Sequence, residues 1–317
     1  MFSVAVIGCH GYAGQALFAL GNSHPELRCV AVEDARSALD AGEIPEVAAA
    51  ADVVALALPA EPSTAWASLL LQRGVRRILD LSDARRRDGE IHYALRELHG
   101  PVPADATIVA NPGCYPTATL LGLRPLVAAG LVDDAGVCVV GSSGATGAGK
   151  GLREDLHFCH LDSNVVPYKV GEHRHRPEIE HHLGAPVSLV TQLLPLSRGL
   201  TTTSFVTPRP GVRPEDLRGC LAEHYGESPY VHVLPVPDAR LGLRQVVGSH
   251  DAAVAVGPAA HGGHVPVIAT IDNLMRGAAS QALVALNDWL GLDPYLGLAP
   301  PRDLQGALHP MFAHAQV

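Results

Sequence analysis

A glycine-rich turn between a short apolar run and a helical pattern, near the first residue, constrains the fold of this chain most strongly. Residues 4–7 are continuously apolar, and the segment GCHGYAG follows at residues 8–14. Apolar residues then recur at helical spacing through Leu17 and Leu20. Glycines spaced GxxGxxG allow a tight strand-to-helix turn and a close approach of the backbone to a pyrophosphate, which the helix N-terminus attracts. The pattern predicts a dinucleotide site at this junction.

Short apolar runs alternate with helical patterns over the next hundred residues. Strands are predicted at residues 28–32, 53–58, 76–81 and 108–110, and helices around residues 44–50 and 63–72. Runs that are apolar throughout, rather than at every second position, are typical of parallel strands covered on both faces. This part of the chain is therefore predicted to be an α/β, Rossmann-type doubly wound dinucleotide domain.

The pattern changes from about residue 113. Helices are predicted at residues 117–129 and 278–290, and strands at residues 137–141, 187–194, 201–207, 231–234 and 265–271, whereas residues 142–172 show no clear periodicity. Long connections between strands suit an α+β substrate and oligomerisation domain with a mostly antiparallel sheet. We predict two domains, one of residues 1–112 with 276–317 and one of residues 113–275.

Composition excludes several classes of protein. The 317 residues carry 23 Lys and Arg against 32 Asp and Glu, a net charge of −9, which argues against a nucleic-acid surface. No run approaches the roughly 18 apolar residues that span a bilayer, and the N-terminus lacks a basic signal-peptide region. Six singly spaced cysteines suit reduced thiols, so we expect a cytoplasmic protein without a membrane or nucleic-acid partner. Six arginines between residues 73 and 87 are interpreted as solvated strand ends or, alternatively, as an anion site.

Residues after the second predicted strand bear on the choice of dinucleotide. Glu33 and Asp34 lie about 20 positions after the glycine turn, where an acidic residue usually binds the ribose 2′-hydroxyl of NAD. Arg36 lies close by and would instead pair with the 2′-phosphate of NADP. These residues leave the choice open.

Cys114 is the strongest candidate nucleophile. It follows the turn Asn111-Pro112-Gly113 and precedes a predicted helix, with Pro116 in the first turn. A thiolate at a helix N-terminus is stabilised by the helix dipole and by unsatisfied backbone N–H groups. Cys138, within an apolar strand, is instead predicted to be a buried core residue.

Two histidines offer acid–base chemistry. His173 and His175 lie just before Pro177, which is predicted to start a helix. A nucleophilic cysteine needs a general base, and a histidine is its natural partner. The cysteine and histidine spacings give no usual zinc pattern, so no metal site is predicted.

A glycine-rich segment at residues 141–150 resembles a phosphate loop in composition but lacks its GxxxxGK[ST] pattern. It is interpreted as a turn that closes over a nicotinamide or a substrate phosphate, with a flexible connection as the alternative.

These motifs together resemble the N-acetyl-γ-glutamyl-phosphate reductase family of arginine biosynthesis, a relative of aspartate-semialdehyde dehydrogenase. The resemblance runs almost from end to end and is most specific at NPGCYPT (residues 111–117) and HRHRPEI (residues 173–179). Further matching stretches are VIGCHGYAG, LDLSDARRRD, YALREL, SGATGAGK, LLPLSRGLTTT and IDNLMRGAASQALVALNDWLGLD.

The resemblance implies NADPH-dependent reduction of an acyl phosphate to an aldehyde. Cys114 would displace phosphate to form a thioester, with His175 as the base and His173 binding substrate, although these two roles could be exchanged. Hydride transfer and release of the semialdehyde would follow. A homodimer or homotetramer is also implied.

The resemblance also implies a set of binding residues. Those for the cofactor, NADP with NAD as the alternative, are Gly8, His10, Gly11, Tyr12, Ala13, Gly14, Arg36, Ser82, Gly147 and Asn273. Those for the substrate are Arg85, with Arg86 as its alternative, together with Ser143, Gly144 and Arg198.

Two features depart from the family pattern. The segment between the second and third predicted strands is short, about twenty residues, which leaves the preference for NADP open. Cys9 and His10 stand where the family favours small residues. Two alternatives remain: the same chemistry on aspartyl phosphate or carrier-bound aminoadipyl phosphate, and a non-catalytic dinucleotide-binding regulator.

Overall fold

The computed structural model describes residues 1–133, 135–260 and 262–304, which form two compact units. The first unit contains Met1–Gly113, Ala148–Lys150 and Gly277–Ala299. The second contains Cys114–Gly147, Gly151–Arg276 and, after the first unit's last segment, residues 300–304. The sequence placed all of residues 276–317 in the dinucleotide domain; residues 300–304 instead lie with the second unit, and residues 305–317 lie outside the described residues.

The chain up to Gly113 alternates strands with helices. The strands are β1 (Phe2–Ile7), β2 (Leu27–Val32), β3 (Val53–Leu56), β4 (Ile78–Asp80), β5 (His92–Tyr93) and β6 (Ile108–Ala110). The helices are α1 (Tyr12–Ser23), α2 (Ala35–Ala41), α3 (Glu46–Ala49), α4 (Ala60–Gln72) and α5 (Arg96–His99).

The remainder has longer strands and connections. Its strands are β7 (Val137–Gly144), β8 (Val166–Tyr168), β9 (Val187–Leu194), β10 (Leu200–Val206), β11 (Val231–Leu234), β12 (Ala252–Val256) and β13 (Val265–Ile271). Its helices are α6 (Cys114–Ala128), α7 (Phe158–Leu161), α8 (Arg176–Leu183), α9 (Pro214–His224), α10 (Leu243–Val246) and α11 (Ser280–Trp289), the last of which belongs to the first unit. Among the described residues, no helix has the length and apolar character needed to cross a bilayer.

The first unit is a parallel sheet with strand order β2-β1-β3-β4-β6-β5. Successive residues of a strand face opposite sides, and both sides of β1 are buried. Val4 and Val6 pack with Leu17 of α1 and the apolar face of α11, whereas Ala5 and Ile7 pack with the core around Trp66 of α4. The predicted Rossmann-type fold is confirmed.

The second unit is a seven-stranded sheet with order β11-β12-β13-β10-β7-β9-β8. The pairs β11–β12 and β7–β9 are parallel and the other four are antiparallel, so the sheet is mixed and mostly antiparallel, as predicted. Helix α6 packs closely on one face: a Cβ added at Gly122 would lie 3.2 Å from Val267 Cγ1 and 3.7 Å from Ala269 Cβ.

The opposite face of this sheet carries no charged side chain in its three central rows. Strand register aligns Ser188–Cys138–Phe205–Pro266, then Val190–Val140–Thr203–Ile268, then Gln192–Ser142–Thr201–Thr270. Cys138 is exposed here, so its predicted place in the core is wrong: it has the opposite parity along β7 from the buried Val137 and Val139. Val190 and Phe205 are also exposed.

Eight helices and strands of the described residues were not predicted: α2, α5, α7, α9, α10, β5, β8 and β12. Strand β12 is fully buried in the sheet between β11 and β13, but its sequence, AAVAV, is mostly alanine and gives a weak apolar signal. Strand β7 also runs on to Gly144, three residues beyond its predicted end.

Candidate active site and dinucleotide site

The glycine turn of the first unit is built for close backbone approach. Gly8 has φ +87°, and a Cβ added there would lie 2.4 Å from the carbonyl oxygen of Ala57. A Cβ on Gly14 would lie 2.2 Å from the carbonyl oxygen of Gly8. The Gly11 N–H donates to the same oxygen at 3.1 Å, and α1 begins at Tyr12. Any larger residue at Gly8 or Gly14 would force this turn open, so the predicted residues Gly8, Gly11, Tyr12, Ala13 and Gly14 form one strand-to-helix cradle that suits a pyrophosphate.

Charged side chains surround this cradle. His10 Nε2 lies 3.0 Å from Glu33 Oε2, and Lys150 Nζ donates to the His10 carbonyl oxygen at 3.2 Å. Arg36 stands on α2, highly exposed, and pairs with Asp40 one turn later. The cradle therefore has an ammonium group beside it, while the Arg36 guanidinium is held only by a weak surface ion pair.

Ser82 and Arg85 lie in a buried polar cluster where β4 ends. Asp80, fully buried, accepts from the Ser63 hydroxyl at 2.7 Å, from the Ser82 N–H at 2.8 Å and from Arg85 Nη1 at 2.9 Å. Arg85 therefore forms an internal ion pair with Asp80, and breaking that pair to bind substrate would leave the buried Asp80 carboxylate without this charged partner. The pairing weakens the prediction that Arg85 binds substrate.

Arg86, the alternative to Arg85, is also buried. Its Nε donates to the Asn111 carbonyl oxygen and its Nη2 to the Leu81 carbonyl oxygen, each at 2.7 Å. Neither arginine is a solvated strand end. Arg86 instead fixes the backbone of Asn111, three residues before Cys114.

Cys114 lies at the N-terminus of α6, as predicted, although the helix begins at Cys114 itself and not at residue 117; the residue is partly buried. This position places Cys114 at the positive end of the dipole of a fifteen-residue helix, which stabilises a thiolate. Cys9 offers a contrast, because burial and the nearby Glu33 charge raise the pKa of its thiol. Of these two cysteines, only Cys114 lies at the start of a long helix.

The two predicted histidines lie beside Cys114's neighbour, Tyr115. The Tyr115 ring contacts those of His173 and His175 edge-on, with centroids 5.3 and 6.0 Å apart, and the two imidazoles are 4.8 Å apart. Both histidines are buried. The fold therefore brings together the helix turn of Cys114 and the HRH segment, which are about sixty residues apart in sequence.

Hydrogen bonds fix the orientation of His173. Its Nδ1 accepts from the His175 N–H at 3.1 Å, and its Nε2 lies 3.4 Å from the Tyr168 hydroxyl. A neutral His173 must then carry its proton on Nε2. Because both of its ring nitrogens are engaged, His173 is better suited to orienting groups than to removing a proton.

Tyr168 completes this cluster and was not predicted. Its hydroxyl donates to that of Tyr115 at 3.4 Å, and its carbonyl oxygen accepts from the Thr191 hydroxyl at 2.6 Å. Burial, reinforced by the charge of Cys114, raises the pKa of Tyr168 to about 12, and burial raises that of Tyr115 further. Both tyrosines stay protonated at neutral pH and act as neutral hydrogen-bonding groups.

Ser143, Gly144, Gly147, Arg198 and Asn273 come together in the second unit. A Cβ on Gly144 would lie 2.7 Å from the Arg198 backbone nitrogen, and one on Gly147 would lie 2.8 Å from Ser143 Oγ. Asn273 accepts from the Gly199 N–H at 2.8 Å and donates to the Thr146 hydroxyl at 3.0 Å. Asn273 thereby ties the glycine-rich segment to the SRG turn.

Asp272 anchors the same region and was also missed. One carboxylate oxygen accepts from the Leu274 and Met275 N–H groups, and the other from the Gly248 N–H at 2.6 Å while pairing with Arg198 Nη2 at 2.9 Å. The carboxylate is fully buried, whereas the Arg198 side chain is one-third exposed. Arg198 is therefore held in place while part of its side chain remains open to a ligand. The sequence signals the role of Asp272 in holding Arg198 only by placing an acidic residue directly before Asn273.

Comparison with known proteins places these features in a family. Residues 3–105 match the family model "Semialdehyde dehydrogenase, NAD binding domain", and residues 114–273 match "Semialdehyde dehydrogenase, dimerisation domain". The N-acetyl-gamma-glutamyl-phosphate reductase of Desulforudis audaxviator is 35% identical over 95% of this chain and 99% of its own length. That of Salinispora arenicola is 37% identical over 93% and 97%.

The chain belongs to the N-acetyl-γ-glutamyl-phosphate reductase family. It is therefore an enzyme, an oxidoreductase of the acyl-phosphate reductase type, whose first unit binds a nicotinamide dinucleotide and whose second unit carries a dimerisation domain, which indicates an oligomer.

Solved structures confirm the fold of this family member. Aspartate semialdehyde dehydrogenase II of Vibrio cholerae, complexed with ASA, is similar with a TM-score of 0.68 and 16% identity over 92% of this chain and 98% of that one. Aspartate semialdehyde dehydrogenase of Candida albicans with NADP also gives 0.68, at 16% identity over 92% and 99%. At such identities the likeness concerns architecture alone.

Proposed function

We propose that this enzyme reduces N-acetyl-γ-glutamyl phosphate to N-acetyl-L-glutamate 5-semialdehyde with NADPH, as a step of arginine biosynthesis. The observation that carries the proposal is Cys114 at the start of α6, where the next residue, Tyr115, contacts a buried pair of histidines. A regulator without catalytic activity would not need a nucleophile and acid–base groups in this arrangement.

The first half-reaction uses groups of the second unit. His175 removes the thiol proton of Cys114, and the thiolate attacks the acyl carbon, so that an S–C bond forms and phosphate leaves. His173, whose ring nitrogens are held by the His175 N–H and the Tyr168 hydroxyl, lines the substrate site. Arg198, fixed by Asp272, binds a carboxylate or phosphate oxygen of the substrate.

The second half-reaction reduces the thioester. When bound, the reduced nicotinamide supplies a hydride to the thioester carbon. The protonated His175 then returns its proton to the sulfur as the C–S bond breaks and the aldehyde leaves. Ser143 and Gly144 lie along the turn that holds Arg198 and would border the acyl group.

The glycine cradle fits a dinucleotide, since added Cβ atoms at Gly8 and Gly14 would fill it. Gly8, His10, Gly11, Tyr12, Ala13 and Gly14 would hold the pyrophosphate, Ser82 would contact the same ligand, and Gly147 and Asn273 would border the nicotinamide. Arg36 would bind the 2′-phosphate of NADP. Glu33, whose charge would oppose that phosphate, is paired with His10.

We further propose that the uncharged face of the second unit's sheet joins two copies of the chain. The rows that contain Cys138, Val190 and Phe205 offer apolar and small polar side chains without a charge to desolvate. The dimerisation domain matched by residues 114–273 supports this assignment.

The test is a steady-state assay in the phosphate-dependent direction, with N-acetylglutamate semialdehyde and NADP. Cys114→Ser should lower kcat by about a thousandfold or more while the Kd for NADP stays unchanged, because serine is a much weaker nucleophile. Cys138→Ser is the matched control and should retain turnover. Undiminished turnover in Cys114→Ser contradicts the proposed mechanism, and equal activity with aspartate semialdehyde contradicts the proposed substrate.

A further inference from the structure

Three side chains with metal-binding atoms meet beside the glycine cradle. The sulfur of Cys9, Nε2 of His10 and a carboxylate oxygen of Glu33 all lie within 4.8 Å of one another. Cys9 and His10 occupy the turn between β1 and α1, and Glu33 directly follows β2, which pairs with β1. Because β1 and β2 run parallel, their carboxyl ends bring the three side chains to one edge of the sheet.

The donor set matches a particular class of metal ion. Thiolate, imidazole and carboxylate are the usual ligands of Zn²⁺, and three protein ligands with a water in the fourth position form an open tetrahedral site. Ligand atoms around one zinc ion lie about 3.5 Å apart, given Zn–S and Zn–N bonds of about 2.3 and 2.0 Å. The His10–Glu33 pair is already 3.0 Å apart, so small side-chain rotations would close the site.

We infer that Cys9, His10 and Glu33 form a Zn²⁺ site whose occupation excludes the dinucleotide. On binding, the Cys9 thiol gives its proton to solvent, and one S–Zn bond replaces the S–H bond. The metal then ties His10 and Glu33 together across the mouth of the cradle. Both residues adjoin the place where the dinucleotide's phosphates and ribose would lie, so metal and dinucleotide compete.

The competition rests on the proposed function, which places the dinucleotide at this cradle, whereas the metal site rests only on the three side chains. The ligands come from one turn and one strand end, so the site needs no further residue of the chain to form. Lys150, which contacts the His10 carbonyl oxygen, is the charged group that opposes a cation here and should limit the affinity.

The metal site is tested with Co²⁺, a spectroscopic substitute for Zn²⁺, on the full chain carrying Cys114→Ser to remove the reactive thiol. We expect one Co²⁺ per chain with thiolate-to-cobalt absorption in the near ultraviolet, displaced by Zn²⁺. Cys9→Ala should abolish that band, and Glu33→Gln, an exposed change that keeps the fold, should weaken binding by more than about tenfold. Cys29→Ala, which removes another buried thiol of the same unit, is the control and should bind normally. A band that survives Cys9→Ala, or no band in the parent protein, overturns the site.

The competition is tested by NADPH titration with and without Zn²⁺. In the protein carrying only Cys114→Ser, here called the parent, saturating Zn²⁺ should raise the Kd for NADPH by at least tenfold. When Cys9→Ala is added to that parent, Zn²⁺ should leave the Kd unchanged. An equal Kd with and without Zn²⁺ in the parent overturns the exclusion. Failure of NADPH to bind in the absence of metal would instead contradict the proposed function, and the Co²⁺ titration would still decide the metal site.

Discussion

Asp272→Asn tests whether a buried carboxylate holds Arg198 in place. The asparagine can keep one oxygen for the Leu274 and Met275 N–H groups, but its amide would face the Gly248 N–H and the Arg198 guanidinium, which are both donors. The hydrogen bond from the Gly248 N–H and the ion pair with Arg198 are both lost from the carboxylate, at about 1.5 kcal/mol or more each, so we expect a loss of about 3 kcal/mol in unfolding free energy. For a unit of this size, that loss lowers Tm by about 6–12 °C.

Circular dichroism of the full chain on heating measures the change in Tm, and steady-state kinetics at varied substrate concentration measures the effect on KM. Arg198 should lose its fixed position, so that KM for the acyl phosphate rises while the Kd for NADPH does not change. Asp216→Asn is the matched control, since Asp216 forms an exposed pair with Arg213 in the same unit and its replacement should change Tm much less than Asp272→Asn does. A Tm for Asp272→Asn equal to that of the control, with KM unchanged, would refute the anchoring role.

Three further outcomes are expected. Gly14→Ala should weaken dinucleotide binding more than tenfold in a fluorescence titration, because its Cβ meets backbone at 2.2 Å, whereas Gly219→Ala, on α9 with open space around it, should bind normally and gain up to about 1 kcal/mol in stability. Burial and the charge of Arg276 hold the pKa of His250 well below its usual 6.5, so below about pH 6 the unfolded chain binds one more proton than the folded chain and the unfolding free energy should fall by about 1.4 kcal/mol per pH unit. Denaturant titrations at several pH values should show a weaker dependence of unfolding free energy on pH in His250→Gln, and an unchanged dependence would exclude His250 as its source. Phe205→Asp should shift the chain towards the monomer in sedimentation experiments, and an unchanged oligomer would locate the interface elsewhere.

Strands and helices were predicted correctly where the local pattern of apolar residues matches the pattern of burial. Residues 187–194, 231–234 and 265–271 were predicted with the bounds that the structure shows, because each is a run of β-branched and aliphatic residues. Strand β12 was not predicted because it is buried on both faces mainly through alanines, whose small side chains give a weak apolar pattern. Helix α9 was not predicted because it is largely polar, although Pro214, Glu215 and Asp216 form a typical first turn of a helix.

Among the residues of the site, those set by the local sequence could likewise be predicted, and those set by contacts between distant segments could not. The position of Cys114 at a helix start could be predicted, since proline and glycine around it set the local backbone. The roles of Tyr168 and Asp272 could not, because they depend on contacts made only after folding. Arg85 shows the converse: its sequence suits anion binding, but the fold pairs it with buried Asp80, and no local pattern reveals which charges are paired internally.

A pre-steady-state measurement tests the thioester mechanism most directly. Enzyme mixed with N-acetyl-γ-glutamyl phosphate in the absence of any nicotinamide should release a burst of phosphate stoichiometric with active sites, because formation of the thioester needs no reductant. Mass spectrometry of the quenched protein should find the N-acetylglutamyl group on Cys114, and Cys114→Ala should give neither burst nor adduct. Phosphate release that requires NADPH, or an acyl group on another residue, would contradict the account.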